Sequence, residues 1–318
     1  MNKRKLGASG IEVAPLAFGG NVFGWTVDEA QSFRLLDEFV ARGFNLVDTA
    51  DVYSAWAPGN RGGESETILG KWMKQRGNRN RVVLATKVGK EMGPGRKGLS
   101  RKYIREAVED SLKRLQTDFI DLYQSHDDDL SVPPAEALET FAGLIQEGKV
   151  RAIGASNFNA QRLQENLEIS RVNGLPRYEA LQPKFNLYDR IDFEKELEPL
   201  CVKEAIGVLS YYSLASGFLT GKYRSEKDLS KSARGQGNKK FLNQRGFRIL
   251  AALDEIAGSF GTTPAAVSIA WLIARPSVTA PIASATTLEQ LNDLVRGAEM
   301  KLDAASVATL DEASKWEK

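Results

Sequence analysis

The sequence of 318 residues contains one cysteine, Cys201, and one histidine, His126. A lone cysteine cannot form an intramolecular disulfide, which fits a protein of a reducing cytoplasm. A lone histidine excludes zinc sites that need several imidazole ligands. Residues 126–129 (HDDD) place three carboxylates beside that histidine, but one imidazole next to crowded acids is more typical of a solvated loop than of a metal site. We therefore expect no bound metal.

Long hydrophobic runs and a strong excess of charge are also missing. No apolar stretch approaches the roughly 20 residues that a membrane helix requires. The N-terminal segment MNKRKLGASG is basic, but it lacks the apolar region of a signal peptide. The net charge is +2 with both signs interspersed, which disfavours nucleic-acid and membrane-surface partners. These features predict a cytoplasmic protein and leave a monomer and a homo-oligomer equally open.

Short apolar runs alternate with amphipathic helical segments along the chain, and 42% of the residues are hydrophobic, enough for a full core. In residues 105–115 (REAVEDSLKRL) the apolar positions recur at helical spacing. The apolar runs are too uniform for half-exposed strands and indicate strands covered on both faces. There are eight such runs: PLAFGG, FNLVDTA, VVLATK, FIDLYQSH, VRAIGASN, YEALQPKFN, IGVLSYYS and VTAPIAS.

Eight strand–helix units predict an α/β fold, a (β/α)8 TIM barrel that forms a single domain over residues 1–318. An open doubly wound sheet is the alternative. We also predict an N-terminal hairpin over KRKLGASGIEVAPL, with its turn at Gly7 to Gly10. The polar stretch from Ser225 predicts a long loop after the seventh strand. An extra C-terminal helix, around residues 304–316, is expected to pack across the outside.

A glycine pattern in residues 93–98 (GPGRKG) formally matches a dinucleotide-binding motif. In that motif the glycines follow a strand directly and open the helix themselves. Here KVGKEM intervenes after the strand, and Ser100 is the better candidate for the helix N-cap. We interpret the segment as a loop.

Polar residues with catalytic potential follow the predicted strands. Asp48, Lys87 and His126 lie at or just beyond strand ends, and Tyr53 is on the loop after the second strand. In a barrel these ends form the active-site mouth. Each residue alone is better explained by capping, solvation or packing than by catalysis. Together they form an acid: a lysine lowers the pKa of a nearby phenol, an aspartate holds the lysine, and a histidine orients a carbonyl.

Several ordered motifs resemble those of the aldo-keto reductase family from end to end. In this chain LGASGIEVAPLAFGG resembles the opening hairpin and first strand of the family. NLVDTADVY, followed by GGESETILG, resembles the first signature of the family. LATK, DFIDLYQSH, EGKVRAIGASNF and YYSLASGFLTGKY resemble further family blocks. The last of these and the short C-terminal tail are most similar to the bacterial and potassium-channel β-subunit branch.

The resemblance implies a nicotinamide-dependent carbonyl reductase, with NADP as the usual cofactor and a reversible reaction. It assigns the general acid to Tyr53, tuning of that acid to Asp48 and Lys87, and orientation of the carbonyl to His126. Ser156, Asn157 and Gln182 would hold the carboxamide, and Tyr212 would stack on the nicotinamide. The residues expected along the pyrophosphate are Ser213, Leu214, Gly217, Leu219, Gly221 and Lys222.

One segment departs from the family pattern. Where the family usually has a basic residue for the 2′-phosphate of NADP, this chain has Ser284, Thr286 and Gln290. Neutral groups hold a phosphate dianion less strongly than guanidinium or ammonium groups do. The resemblance therefore implies NADP binding with use of NAD as an alternative. Candidate replacement cations in the long loop are Arg234, Lys239 and Lys240.

The substrate is specified less closely. Trp25 and Trp56, after the first and second strands, are expected to form flat apolar walls for a small carbonyl compound; packing of loop against loop explains them equally well. A regulatory protein like a channel β subunit, which binds nucleotide with little turnover, is the alternative function. A metal-dependent hydrolase is disfavoured by the lone histidine.

Overall fold

Eight parallel strands form one sheet in the computed structural model, which describes residues 2–316. The order in the sheet is β10-β3-β4-β5-β6-β7-β8-β9, so that successive strands are neighbours. The short antiparallel pair β1–β2 precedes the sheet. The strands are β1 (Arg4–Lys5), β2 (Glu12–Val13), β3 (Ala17–Gly19), β4 (Leu46–Asp48), β5 (Val83–Val88), β6 (Ile120–Ser125), β7 (Val150–Ser156), β8 (Tyr178–Gln182), β9 (Gly207–Val208) and β10 (Ile282–Ala283).

The two ends of the sheet meet. The backbone N–H of Ile282 in β10 donates to the carbonyl of Ser210 just after β9 at 2.8 Å. Val208 forms a further parallel bridge with Val278. The ring of strands is therefore continuous, and the prediction of a (β/α)8 barrel is confirmed.

Helices surround the ring. Their N-termini follow the local sequence: Ser100 accepts from the N–H of Tyr103, and Asp28, Asn159 and Thr287 cap other helices in the same way. The GPGRKG segment lies outside any helix, as predicted. The helices are α1 (Glu29–Ala41), α2 (Glu64–Arg76), α3 (Arg101–Leu115), α4 (Pro134–Gln146), α5 (Ala160–Asn173), α6 (Glu198–Lys203), α7 (Gln244–Ser259), α8 (Pro264–Ala274), α9 (Leu288–Glu299) and α10 (Ala304–Ala313).

The barrel has an inner and an outer apolar layer. Small and branched side chains such as Leu46, Ala85 and Leu122 fill the interior, and the outer layer lies between strands and helices. Strands buried on both faces need apolar residues at every position, which explains the uniform runs. The predicted hairpin is confirmed and closes the bottom of the barrel, where Leu6 and Val13 join the interior cluster.

The segment after β9 is more ordered than the predicted loop. It contains two short 3₁₀ segments, Glu226–Lys231 and Gly235–Phe241. The Ser225 and Asp228 side chains form a reciprocal cap on the first. Phe241 packs against Phe218 with ring centroids 5.2 Å apart. Polar composition did not reveal these anchors, because two or three inward side chains are enough to fix such a segment.

The predicted C-terminal helix is α10, which packs against α7 and α8. It ends at Ala313, three residues before the predicted end. Among residues 2–316, no single helix is long and apolar enough to cross a membrane. The helices α7 and α8 reach that hydropathy as a pair, and they meet at a bend of 96°.

Candidate active site

The C-terminal ends of the strands surround one large cavity. Asp48 ends β4, His126 follows β6, Ser156 ends β7 and Gln182 ends β8, and all four line the cavity. The volume is about 1320 Å³, above the roughly 300–1,000 Å³ of a pocket for one small ligand. The cavity can therefore hold an extended ligand and a second small molecule together.

The ammonium of Lys87 organises the floor of this cavity. It is fully buried and donates to Asp48 Oδ2 at 2.7 Å, to the carbonyl of Thr49 at 2.7 Å and to Tyr53 Oη at 2.9 Å. An ammonium has three protons and no acceptor, so the Tyr53 oxygen must accept from it. The phenol's own proton has a poor partner in Asp48 Oδ2 at 3.4 Å. That proton is available to a group in the cavity.

The Asp48 carboxylate is held on its other side by two amides. Its Oδ1 accepts from Gln182 Nε2 at 2.8 Å and from Gln124 Nε2 at 3.3 Å. These donors and the Lys87 ammonium satisfy the buried charge. Gln124 was not identified from the sequence, although an amide inside the apolar strand IDLYQS is a signal that could have found it.

The phenol of Tyr53 is held in its protonated form. Burial, followed by the Asp48 carboxylate, raises the pKa of Tyr53 well above its usual value of 10.0. Burial also lowers the pKa of the Lys87 ammonium. The expectation that the phenol's pKa is lowered toward neutrality is wrong for this structure, because burial and the Asp48 carboxylate raise it. A phenol that keeps its proton at neutral pH is suited to donate it.

His126 is a neutral imidazole at the same rim. Burial, and then the charges of Lys87 and Lys90, lower the pKa of His126 well below 6.5. Its ring centroid is 5.9 Å from that of Tyr53. A neutral ring has one N–H to donate, so His126 and Tyr53 can hold one carbonyl oxygen between them.

The three residues expected to hold a carboxamide line the cavity but also bond to the protein. Ser156 Oγ donates to the carbonyl of Gln182 at 3.0 Å. Asn157 Nδ2 donates to the carbonyl of His126 at 2.9 Å, and Asn157 Oδ1 accepts from Tyr211 Oη at 2.7 Å. Gln182 Nε2 is taken by Asp48. These bonds fix the orientation of the side chains along the wall.

Tyr212 presents an aromatic face to the cavity. Its side chain is 48% exposed, and its backbone adopts a left-handed φ of 57°. This conformation is uncommon for a bulky residue and points to a local constraint. A flat ligand could stack on the exposed ring.

The block after Tyr212 contributes part of the wall. Ser213, Leu214, Gly217 and Lys222 line the cavity, and the Lys222 ammonium has no hydrogen-bond or ion-pair partner within residues 2–316. Leu219 and Gly221 do not line it. Leu219 is fully buried in the core, and the carbonyl of Gly221 accepts from Arg224 Nε.

The far end of the cavity, formed by β10 and α9, carries no cation among the described residues that line it. Ser284 Oγ lies 2.7 Å from the carbonyl of Gly19 and 2.6 Å from Asn21 Oδ1. The N–H and Oγ of Thr286 both bond to Gln290 Oε1. Asp293 adds a carboxylate to the same wall. A doubly charged phosphate would therefore meet neutral and acidic groups here.

Two tryptophans stand at the mouth. Trp25 and Trp56 both line the cavity, with centroids 5.7 Å apart and rings nearly perpendicular. Trp56 also contacts the Tyr53 ring edge-on at 6.0 Å. The Arg234 guanidinium lies over Trp25, 5.1 Å from its centroid, whereas Lys239 and Lys240 are not on the wall.

The acids of the HDDD segment take separate partners. Lys90 Nζ is 2.5 Å from Asp127, and Arg162 forms two hydrogen bonds with Asp128. Asp129 accepts from the backbone N–H of Leu99. Asp127 and Asp129 thus anchor the loop between β5 and α3, and Asp128 anchors α5.

A second buried acid, Asp51, lies behind the catalytic floor. Its carboxyl oxygens form no hydrogen bond of normal geometry within residues 2–316, although the backbone N–H of Val52 is close enough to lower the pKa slightly. Burial, and then the nearby Glu66, raise the pKa of Asp51 to about 8. Glu66 is already paired with Arg114 at 2.7 Å, and Lys87 is paired with Asp48. Because Arg114 and Lys87 are already paired with other carboxylates, neither stabilises an ionised Asp51, which therefore keeps its proton.

Comparisons with known proteins identify the family. Residues 15–315 match the model of the aldo/keto reductase family. The chain is 36% identical to the oxidoreductase YrpG of Bacillus subtilis (strain 168), over 96% of this chain and 94% of that protein. It is 34% identical to the aldo-keto reductase YhdN of the same organism, over 85% of this chain and 78% of that protein. It is 32% identical to a probable voltage-gated potassium channel subunit beta of Arabidopsis thaliana, over 94% and 92%. The chain belongs to the aldo/keto reductase family.

Proposed function

We propose that this oxidoreductase of the aldo/keto reductase family reduces an aldehyde or ketone to the alcohol with Tyr53 as the general acid. The observation that carries the proposal is the Lys87 ammonium, whose three protons go to Asp48, Thr49 and the Tyr53 oxygen. The phenol proton is left for a substrate oxygen in the cavity. Burying the Lys87–Asp48 ion pair costs desolvation free energy. A role in proton donation by Tyr53 accounts for its presence at this position.

The residues on the floor each have a defined part in the reaction. Tyr53 and the neutral His126 donate hydrogen bonds to the carbonyl oxygen and align it. A bound NADPH or NADH would supply a hydride to the carbonyl carbon. As negative charge develops on the oxygen, Tyr53 transfers its proton, and Lys87, already hydrogen-bonded to the phenol oxygen, stabilises the phenolate that forms. Solvent returns a proton to Tyr53; in the reverse direction the phenolate accepts a proton from the alcohol.

The cavity suits a nicotinamide nucleotide in size and in polarity. We assign the carboxamide to Ser156, Asn157 and Gln182, which stand in a row beside the floor, and the nicotinamide ring to the exposed face of Tyr212. Lys222, whose ammonium has no hydrogen-bond or ion-pair partner within residues 2–316, is suited to a pyrophosphate. The neutral and acidic far wall supports the use of both NADPH and NADH.

A nucleotide-binding regulatory role, suggested by the similarity to the channel subunit, is the second candidate. The test measures loss of NADPH and NADH absorbance by the full chain with benzaldehyde as substrate. Turnover that Tyr53→Phe removes supports the reductase. Tight nucleotide binding, with no turnover for a panel of aldehydes, dicarbonyls and sugars, would support the regulatory role instead.

A further inference from the structure

A second cavity lies at the opposite end of the barrel from the catalytic floor. It opens where β4 to β7 begin: Asn45 directly precedes β4, Val83 is the first residue of β5, and Asp121 is the second residue of β6. Its volume is about 530 Å³, within the roughly 300–1,000 Å³ of a small-molecule pocket. This end of a barrel takes no part in catalysis, so the carbonyl reaction does not explain the charges on the wall of this cavity.

One buried carboxylate, Asp121, anchors two arginines on this wall. Its Oδ2 accepts from Arg79 Nη2 at 2.8 Å and from the backbone N–H of Leu84 at 2.9 Å. Its Oδ1 accepts from Arg151 Nη1 at 2.6 Å. The Arg79 guanidinium also lies over the Phe119 ring, 3.9 Å from the centroid. The protein itself therefore sets the position of both guanidinium groups.

Cations outnumber acids on the wall. Among the described residues that line the cavity there are four cations and two acids, and Asp121 is already used by the two arginines. Arg81 and Lys3 line the cavity, and their side chains form no hydrogen bond or ion pair in the described part of the chain, residues 2–316. Arg151 gives Asp121 a single N–H, and its side chain is 52% exposed. Three of the cations thus have N–H groups left for a ligand.

These cations also act on one another. Burial, and in smaller part the charge of Arg151, lowers the pKa of Arg79, although Asp121 acts in the opposite direction. Repulsion among like charges destabilises the folded chain. An anion bound between the cations would relieve that repulsion.

Buried apolar side chains form the base of the cavity beneath the exposed cations. Ile11, Phe44 and Val83 line it and are buried. Asn45 Nδ2 donates to the carbonyl of Glu12 at 3.0 Å, which ties the N-terminal hairpin to the start of β4 and fixes the shape of the base. An apolar base below a cationic rim suits a ligand with an apolar body and an anionic group.

We propose that this cavity is a second binding site, for a small organic anion that carries a carboxylate or a phosphate. Arg81 and Arg151 bind the oxygens of the anion, because a planar guanidinium matches carboxylate and phosphate with two parallel hydrogen bonds. The ammonium of Lys3 adds attraction as a point charge. The Arg79–Asp121 pair is explained by stability, since it joins the starts of β5 and β6. That explanation leaves the three cations with open N–H groups unaccounted for.

The experiment titrates the full chain with small anions by calorimetry at constant ionic strength. The probes are phenyl phosphate, benzoate and inorganic phosphate, with benzyl alcohol as the neutral control. The wild type is compared with Arg81→Met and Arg151→Met. A double variant, Lys222→Met with Arg234→Met, removes two cations from the catalytic cavity. Lys102→Met removes one from the exposed face of α3, outside both cavities.

We expect the wild type to bind one molecule of phenyl phosphate or benzoate per chain, inorganic phosphate more weakly, and benzyl alcohol not at all. A preference for phenyl phosphate or for benzoate, in either direction, supports the proposal and identifies the anionic group. Arg81→Met and Arg151→Met should each raise Kd by about tenfold to a hundredfold, the range for a hydrogen bond to a charged group. The double variant and Lys102→Met should leave Kd unchanged.

Urea unfolding with and without phenyl phosphate gives a second measurement, because a ligand that binds only the folded chain raises its free energy of unfolding. Arg81 has no partner whose loss would destabilise the fold, so Arg81→Met keeps the test decisive if Arg151→Met folds poorly.

Three results would overturn the proposal. One is a wild type that binds none of the anions, or binding that Arg81→Met leaves unchanged. Another is binding lost in the Lys222→Met, Arg234→Met variant, which would place the anion in the catalytic cavity. The third is equal weakening by Lys102→Met, which would show an effect of net charge only. None of these measurements involves turnover, so the reductase function stands or falls separately.

Discussion

The Lys87 ammonium donates to the Tyr53 oxygen across 2.9 Å while it is bound to Asp48 at 2.7 Å. The aspartate fixes the ammonium, and the ammonium occupies the lone pair of the phenol on the side away from the cavity. The phenol proton therefore faces the position of a substrate oxygen. The charges around the Tyr53 phenol and the direction of its proton are therefore both fixed before any substrate binds.

Tyr53→Phe should abolish carbonyl reduction, because it removes the oxygen that carries the proton. General acid catalysis contributes typically about 10²–10⁴-fold in rate, and kcat should fall by at least that range. Nucleotide Kd should stay nearly unchanged. The control is Tyr123→Phe, which removes a buried hydroxyl without a partner among residues 2–316 and should keep activity. A Tyr53→Phe enzyme with most of its kcat would contradict the assignment of the acid.

Lys87→Met should destabilise the protein as well as inactivate it. The substitution leaves the buried Asp48 carboxylate without its cation, and breaking a buried pair in this way costs about 3–5 kcal/mol. Urea unfolding measures the loss. The double variant Asp48→Asn, Lys87→Met removes the unpaired charge and should recover part of the free energy of unfolding, although it stays inactive. A double variant no more stable than the single one would show that the Asp48 charge is not the cause.

Asp51→Asn should change how stability depends on pH. The pKa of Asp51 is about 8 in the folded chain and about 3.9 in an unfolded one. Between these values the folded chain holds a proton that the unfolded chain has released, so stability falls as pH rises and levels off above about 8. Asparagine does not titrate. Relative to the wild type, the free energy of unfolding of the variant should therefore rise between pH 6 and pH 8, by up to about 1.4 kcal/mol per pH unit.

Urea unfolding of the wild type and Asp51→Asn at pH 6, 7 and 8 checks this expectation. Parallel pH dependence in the two proteins would mean that Asp51 is ionised throughout, in spite of its burial next to Glu66.

Gln290→Arg should raise the preference for NADPH over NADH. In the wild type the far wall offers Gln290, Thr286 and the carboxylate of Asp293, and we expect weak discrimination. A hydrogen bond to a charged group contributes about 1.5–3 kcal/mol against about 0.5–1.5 for a neutral one, so one new cation should shift the Kd ratio by roughly tenfold. The shift should shrink at high salt.

The Kd of both nucleotides is measured by quenching of tryptophan fluorescence at low and high salt. Gln164→Arg adds the same charge on the exposed face of α5 and should leave the ratio unchanged. A wild-type preference for NADPH of a thousandfold or more would contradict this expectation and point to a basic residue within residues 225–245.

The sequence by itself determined the barrel and the placement of Asp48, Tyr53, Lys87 and His126 at one end of it. Strands buried on both faces must be apolar throughout, so the eight runs could be read directly. In parallel strands the side chains that follow each run all meet at one end, which placed Asp48, Lys87 and His126 together. Ser100 as a helix cap was equally local, because its hydroxyl bonds to a backbone N–H three residues away.

The tertiary structure alone decided the charge states and the long-range partners. The sequence put Lys87 beside Tyr53 and suggested a lowered phenol pKa, but the depth of burial depends on everything packed around the pair, and burial reversed the direction. The hydrogen bond from Gln124 to Asp48 and the cation–π contact of Arg234 with Trp25 each join residues that are far apart in the chain. Such contacts leave no periodic signal, because they arise from how separate loops and strands meet in space rather than from the spacing of residues along one of them.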